Sequence, residues 1–387
     1  MISMNNLNTA LTRGVAEILP SKEGLAKLMS ERKIRLYQGF DPSMPSLHLG
    51  NYVGLLKLRQ FQKLGHKVIF LVGDFTGMIG DPTDKSATRP KLTREDTLQN
   101  AKAWKEQVSK VLDFEGENAA EIKFNSEWLD KVTFKEIIET ASNFTVGQMI
   151  ERDMFQDRLK ENKPIHLHEF LYPVSVAIDC IEMDVDLEIG GSDQLFNMMA
   201  GRTLMKAVKN KEKYVLTTKL LVDKEGRKVG KTTGNALFLD STPEAFYAGI
   251  MSFPDEVIKL GFELLTEEEL GGMEDKIESN PMLEKKHLAF SVVKILWGED
   301  ASCKAQADFE STFQNKTFSI TGQKVASKGN ILDTIAQVIE IGSKSEAKRL
   351  LTAGAVDVNE KTVKDFAFEV KKGDKIKVGK RIFLVLI

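Results

Sequence analysis

Residues 48–51 read His48-Leu49-Gly50-Asn51. They stand between the alternating stretch Lys33-Ile34-Arg35-Leu36-Tyr37 and apolar residues at helical spacing, Val53, Leu55, Leu56, Leu58 and Phe61. A strand that hands over to a helix here leaves unpaired N–H groups and partial positive charge at the helix mouth, a setting that suits phosphate. Gly50 lacks the β-carbon that would hold a flat ligand off the backbone. His48 and Asn51 both have hydrogen bonds to donate. Taken alone, the four residues are accounted for better by an ordinary strand–helix turn with His48 as its cap.

Three further clusters bear on that choice. Gly190-Gly191-Ser192-Asp193-Gln194 also lies between a strand and a helix. Its glycines admit a ligand plane, and Asp193 could accept both hydroxyls of a ribose; a plain glycine turn capped by Ser192 or Asp193 is the alternative. Lys228-Val229-Gly230-Lys231-Thr232 places two lysines three apart on a glycine-hinged loop. Such a loop could close over a polyphosphate and offset charge growing at a reacting phosphorus. It lacks the Walker spacing, and a solvated basic loop would look the same. Lys85 and Arg89 supply another basic patch in 81–89. Tyr172, Val176 and Asp179 fall on one face of a helix. A buried Asp179 needs a partner, and with Tyr37 it would read an aromatic hydroxyl; a surface acid at a helix end is the plain alternative.

The elements that must position these residues alternate. Strands are expected at 33–37, 68–72, 121–124, 186–189 and 214–217, and helices after Asn51 and over 93–112, 134–162 and 193–208. This is the pattern of a doubly wound parallel sheet with helices on both faces. From Thr242-Pro243 the texture turns helical through about 318, with breaks at Phe253-Pro254 and Asn280-Pro281. Residues 317–330 read as a linker. The last segment reads as two helices followed by short strands. The fold class is therefore α/β, Rossmann-like, over 1–240, then a small all-α domain over 241–322 and an α+β domain over 323–387.

Composition bounds the function. A chain of 387 residues exceeds one hydrophobic core. Its 42% hydrophobic and 28% charged residues exclude a disordered or fibrous protein. Apolar runs are too short to cross a bilayer, and the N-terminus does not read as a secretory signal. Cys180 and Cys303 build no disulfide framework, so a reducing cytoplasm is expected. From residue 323 onward there are 13 basic and 8 acidic residues, on a chain whose net charge is −2. A basic tail points to a polyanionic partner. His166 and His168 lack a third ligand, so no zinc site is expected. Asp184, Asp186 and Glu188 read as a solvated strand edge.

Together, HLGN, GGSDQ about 140 residues on, and KVGKT beyond it resemble the signature set of class I aminoacyl-tRNA synthetases. More narrowly, YQGFDPSMPSLHLGN, LVGDFTGMIGDP, GGSDQ and KVGKT resemble bacterial tyrosyl-tRNA synthetases. The C-terminal SKSEAKRLLTAGAVDVNEKTV is similar to the S4 RNA-binding module. The resemblance covers nearly the whole chain and implies a tyrosine–tRNA ligase activity. It places Tyr37 and Asp179 at the phenol, and Asp81 and Tyr172 at the α-amino group. Gly39, Asp41 and Gln194 would line the rest of the adenylate site. ATP would meet His48, Gly50 and Asn51, with Gly191 and Asp193 at the adenosine. Lys228, Lys231 and Thr232, with Lys85 and Arg89, would hold the pyrophosphate. ATP is a substrate that brings its own Mg²⁺, without a carboxylate cage on the protein. The partners implied are tRNA(Tyr), tyrosine and a second copy of the chain in a homodimer, with 134–162 as a possible interface. In the tail, Lys344, Lys348 and Arg349 would contact RNA phosphates.

Two positions depart from the family's pattern: Asn51 replaces a second histidine, and Val176 stands where a glutamine flanks the ammonium group. Asparagine still donates a hydrogen bond, whereas valine does not. The expectation is that Asp81 and Tyr172 bind the ammonium without help from position 176. The rival readings are a ligase for another aromatic amino acid and a paralogue that binds RNA without aminoacylating it.

Overall fold

The structure, a computed structural model, describes residues 4–81, 92–229, 236–313, 323–338, 341, 343–359, 361–379 and 382–387. The chain divides into two compact units, residues 1–302 and 303–387.

The first unit is built on a six-stranded sheet. Its strands are β1 (Val15–Leu19), β2 (Arg35–Phe40), β3 (Lys67–Val72), β4 (Glu121–Phe124), β5 (Leu187–Gly191) and β6 (Tyr214–Thr218), in the spatial order β1-β6-β5-β2-β3-β4. All neighbours are parallel except β1, which runs antiparallel to β6. The chain leaves β2 toward β3 and β4, then returns to the other side of β2 to lay down β5 and β6. That reversal leaves a crevice beyond the carboxyl ends of β2 and β5, where open α/β sheets bind ligands. Five of the six residues of β3 are buried, as a strand covered on both faces requires.

The strands expected from the sequence are present, and the differences have physical reasons. β1 was not anticipated: it is short and half-exposed, an edge strand without a strong alternation. The helix expected over 93–112 is two pieces, Arg94–Ala101 and Trp104–Val108, and 134–162 is three, Phe134–Ala141, Val146–Ile150 and Asp153–Lys160. Thr133 opens that last run through a capping box with Glu136, and Thr145 starts a new helix inside it through one with Gln148. The acids of 184–188 are not a solvated edge. Asp184 is exposed, but Asp186 is buried against Arg32 and Lys211, and Glu188 is buried against Lys213.

Five helices, Pro243–Met251, Ile258–Leu265, Met273–Ser279, Pro281–Trp297 and Glu299–Phe313, follow the sheet. Two of them start at a proline behind a side-chain cap, Thr242 and Asn280. In the second unit a five-stranded sheet runs in the order β7 (Gln323–Val325), β11 (Ile382–Leu386), β10 (Lys375–Val378), β8 (Val356–Val358), β9 (Lys361–Thr362). It packs on the helices Ile331–Ala336 and Lys344–Thr352 through Ile331, Ile335, Ala347, Leu351, Val356 and Ile376. β7 falls inside the stretch expected to be linker; it is recruited by parallel pairing with β11.

Gly249 shows how tightly the helical part meets the sheet domain. A β-carbon there would lie 2.0 Å from Cδ2 of buried Leu237. The Leu237 carbonyl in turn accepts the Leu49 N–H at the mouth of the helix Leu49–Lys63. Overpacking of this kind costs about 1–3 kcal/mol, more than the ~1 kcal/mol alanine gains over glycine in a helix. Gly249→Ala is therefore expected to lower the urea midpoint rather than raise it.

Candidate active site

The helix Leu49–Lys63 begins at the crevice. His48 is its N-cap: Asn51 N–H donates to His48 Nδ1 at 3.3 Å, and His48 N–H donates to Asn51 Oδ1 at 2.9 Å. The reciprocal box fixes the imidazole with Nδ1 as acceptor, so Nε2 carries the proton of the neutral ring. Asn51 is thus structurally competent where the family pattern has histidine, because its carbonyl closes the box while its amide nitrogen remains a donor. Gly50 sits against the His48 ring; a β-carbon there would lie 2.9 Å from Cε1.

Two connected cavities meet at this point. The inner one is walled by apolar Leu71, Val176, Ile189 and Met198, and Tyr37, Gly39, Asp41, Tyr172, Asp179, Glu188 and Gln194 also line it. The outer one runs past Gly39, Asp41, His48, Gly50, Asn51, Asp81, Gly191, Asp193, Gln194 and Lys228. The sequence clusters, scattered from 37 to 228, are therefore brought to one continuous site.

Each acid of the inner cavity has its own donors. Asp179 accepts from Trp128 Nε1 at 2.7 Å and Asn125 Nδ2 at 3.2 Å. Burial drives its pKa well above the usual carboxylate range, against the pull of those two donors, and nearby Glu188 and Asp41 add to the rise. Asp41 accepts from Thr76 Oγ1 at 2.7 Å and from the Tyr172 hydroxyl at 2.8 Å. Burial lifts it to about 7, in spite of both hydrogen bonds. Asp81 accepts from Gln194 Nε2 at 2.7 Å and lies 3.6 Å from the buried guanidinium of Arg152. The Tyr37 hydroxyl lies 3.1 Å from Cys180 Sγ. Val176 contributes only a methyl wall.

In the outer crevice Lys228 donates to Asp193 Oδ2 at 2.7 Å. A turn across 223–227, closed by Asp223 on the Arg227 N–H, presents that lysine, and Val229 N–H donates to Leu221 O. On the far side of the loop Phe238 forms a bridge with His48. Lys228 and Val229 thus border the crevice, and Phe238 stands beside the helix mouth. Lys231 and Thr232 themselves, and Lys85 and Arg89, lie outside the described residues.

Trp128, Asn125, Thr76, Arg152 and Cys180 were not singled out from the sequence. Only Thr76 falls inside a quoted motif, LVGDFTGMIGDP, and the others reach the site from the segment after β4, the start of the helix Asp153–Lys160 and the helix Leu171–Met183. One signal was available: Gly73. A β-carbon there would lie 2.1 Å from Asp41 Oδ1 and 2.4 Å from Thr76 Oγ1, so the glycine marks the close approach of a side chain. In the second unit, Lys344, Lys348 and Arg349 are exposed on the helix Lys344–Thr352, with Lys344 paired to Asp333 and Arg349 to Glu346.

Known proteins resemble this chain over nearly its whole length. The family described as tRNA synthetases class I (W and Y) matches residues 29–314, and the S4 domain family matches residues 332–376. A tyrosine–tRNA ligase of Aquifex aeolicus is 41% identical over 96% of this chain and 96% of its own. One of Thermotoga maritima is 39% identical over 96% of this chain and 95% of its own. Among solved structures, a C-terminally truncated mitochondrial tyrosyl-tRNA synthetase of Coccidioides posadasii superposes with a TM-score of 0.66 at 23% identity, covering 79% of this chain and 92% of that one. At that identity it speaks for the fold alone. The near full-length matches do more: this chain belongs to the tyrosine–tRNA ligase family of class I tRNA synthetases, with an S4 domain toward its C-terminus.

Proposed function

We propose that the inner cavity holds L-tyrosine and the outer crevice ATP, that their joining gives tyrosyl-adenylate and pyrophosphate, and that the tyrosyl group then passes to the 3′ end of tRNA(Tyr). The observation that carries the assignment of substrates to cavities is the continuity of the two spaces across Gly39, Asp41, Tyr172 and Gln194. A carboxylate bound in one thereby meets an α-phosphorus bound in the other.

The tyrosine carboxylate attacks the α-phosphorus in line and pyrophosphate leaves, so no protein nucleophile takes part. Catalysis is positioning, together with donors that tighten as charge develops. His48 and Asn51 hold the phosphate end at the helix mouth. Gly191 and Asp193 face the ribose, and Lys228, Lys231 and Thr232, with Lys85 and Arg89, take the departing pyrophosphate. Asp193 then has two partners in turn: Lys228 in the empty site and ribose hydroxyls in the loaded one. Mg²⁺ fits this site as part of the nucleotide, because Asp41, Asp81 and Asp193 are each engaged by protein donors. It would screen the phosphate charge.

Asp179 and Tyr37 meet the phenol. Asp81 and Tyr172 meet the ammonium group, with Asp41 behind Tyr172, Gln194 bonded to Asp81, and Val176 as wall. Leaving Asp179 without the hydroxyl it is built to bind costs about 1–3 kcal/mol, which disfavours phenylalanine. Residues 241–322 would meet the anticodon arm, and Lys344, Lys348 and Arg349 the tRNA backbone. We place this ligase in the cytoplasm, since its two cysteines build no disulfide framework. Phe134, Ile138, Val146 and Leu167 are 80%, 55%, 76% and 80% exposed on one stretch of chain, more apolar surface than solvent alone explains, and this supports a homodimer interface there.

Pyrophosphate exchange across the aromatic amino acids tests the reading. Tyrosine alone is expected to drive exchange, and Asp179→Asn to lower kcat/KM for tyrosine by about 10- to 100-fold. Exchange driven by tryptophan or phenylalanine but not tyrosine would overturn it. Lys231→Ala is expected to slow adenylate formation by about 10²–10³ while tyrosine still binds.

With Asp41 at about 7, kcat/KM for tyrosine should rise with pH through neutrality as the carboxyl ionises beside the ammonium site. Asp41→Asn should lose that inflection. Since the folded-state pKa is above the ordinary value, the same ionisation lowers the empty enzyme's stability as pH rises toward 7. A pH series of thermal midpoints, with and without tyrosine, reads this directly.

Sedimentation tests the interface. Phe134→Asp is expected to shift a dimer toward monomer, and an unchanged dimer would place the interface elsewhere.

A further inference from the structure

Behind the inner cavity lies a charged cluster that the proposed chemistry does not use. Lys213, at the start of β6, has no exposed surface at all, and Glu188 on β5 is 5% exposed. The Lys213 ammonium contacts the Glu188 carboxylate and also donates to the Met198 carbonyl at 2.9 Å. Cys180 Sγ lies 3.6 Å from the same Glu188 oxygen and 3.1 Å from the Tyr37 hydroxyl. The chain of contacts therefore runs from a buried cation, through an acid and a thiol, to the residue placed at the phenol.

The packing around this cluster leaves no slack. A β-carbon on Gly201 would lie 2.5 Å from Cys180 Sγ and 2.8 Å from Lys213 Nζ, so only glycine fits over it. The cluster is also next to the other phenol-binding residue, since Asp179 precedes Cys180 on the helix Leu171–Met183 and both Asp179 and Glu188 line the cavity. Two acids sharing one buried space compete for a proton, unless a cation satisfies one of them. Burial acts to lower the pKa of Lys213, but Cys180 and Glu188 outweigh it and the net direction is up. Its contacts, a carboxylate and a carbonyl that both accept, are those of an ammonium.

We propose that Lys213 is a positioning residue for tyrosine selection. By neutralising Glu188 it keeps Asp179 available as the acceptor for the substrate's hydroxyl, and through Cys180 it holds the Tyr37 hydroxyl in place. The amino acid's ring is thus read by a pair of residues whose charge state is set one layer deeper, by a cation the substrate never touches. This rests on the assignment of the inner cavity to tyrosine.

The test is steady-state pyrophosphate exchange with Lys213→Met, the double variant Lys213→Met/Glu188→Gln, and Cys180→Ala. Lys213→Met is expected to raise KM for tyrosine about tenfold or more, as the Glu188 charge, no longer offset, pushes Asp179 further toward its protonated form. KM for ATP and kcat should stay near the parent values. The double variant removes both charges and should recover most of the tyrosine KM, which a simple packing defect would not. Cys180→Ala should raise the tyrosine KM alone, more modestly. The double variant and Cys180→Ala decide the matter even if Lys213→Met does not fold. A tyrosine KM that is unchanged in Lys213→Met, that rises together with the ATP KM, or that stays high in the double variant would overturn the proposal, as would an unchanged tyrosine KM in Cys180→Ala. If the pocket assignment itself were wrong, Asp179→Asn would leave tyrosine-driven exchange intact, a result separate from all of these.

Discussion

Desolvation of carboxylates is the constraint on which the rest of the site depends. Four acids, Asp41, Asp81, Asp179 and Glu188, line the two cavities against a sheet whose interior is apolar. A carboxylate taken from water without partners is unstable by several kcal/mol. Each of these four has been given its own: Thr76 and Tyr172 for Asp41, Gln194 and Arg152 for Asp81, Trp128 and Asn125 for Asp179, Lys213 for Glu188. The donors come from the turn after β3, the segment after β4, the helix Leu171–Met183, the turn after β5 and the approach to β6. Much of the chain's path between the strands is therefore accounted for by the need to bring a donor to an acid.

That arrangement explains what could be read in the sequence and what could not. His48–Asn51, Gly190–Gln194 and Lys228–Thr232 are legible because each is a run of consecutive residues whose types alone suggest a phosphate- or ribose-facing turn. The central parallel strands are legible for a related reason: β3, as a continuous apolar run, states its own burial. Trp128 and Asn125 are illegible because either would serve as well on a surface loop. Only the fold, by bringing them within 2.7 Å and 3.2 Å of Asp179, makes them part of the site. Glu188 was misread on the same ground. Its neighbours Asp184 and Asp186 made the stretch look like a charged edge, and Lys213, 25 residues on, was invisible as its partner. Short capped helices in 134–160 escaped because a threonine cap interrupts a run whose composition stays helical throughout.

The site also divides its work between rigid and adjustable parts. The inner cavity is made by strands and by the buried helix Leu171–Met183, and its polar groups are held by other side chains. The outer crevice is bordered by Lys228 on an exposed turn, ion-paired with Asp193. The polar groups of the inner cavity are thus fixed by the protein itself, whereas Lys228 is held by a single exposed ion pair.

Gly201 carries a consequence of another kind. Because its missing side chain is the space into which Cys180 and Lys213 fit, positions 180, 188, 201 and 213 are not independent targets for mutation. A larger residue at 201 is tolerated only after the lysine or the thiol has gone, and loss of the lysine strands the glutamate. The order of substitutions therefore matters. A lineage leaving this arrangement must cross less fit intermediates or change several positions together. The four positions form one unit that substitution must treat together.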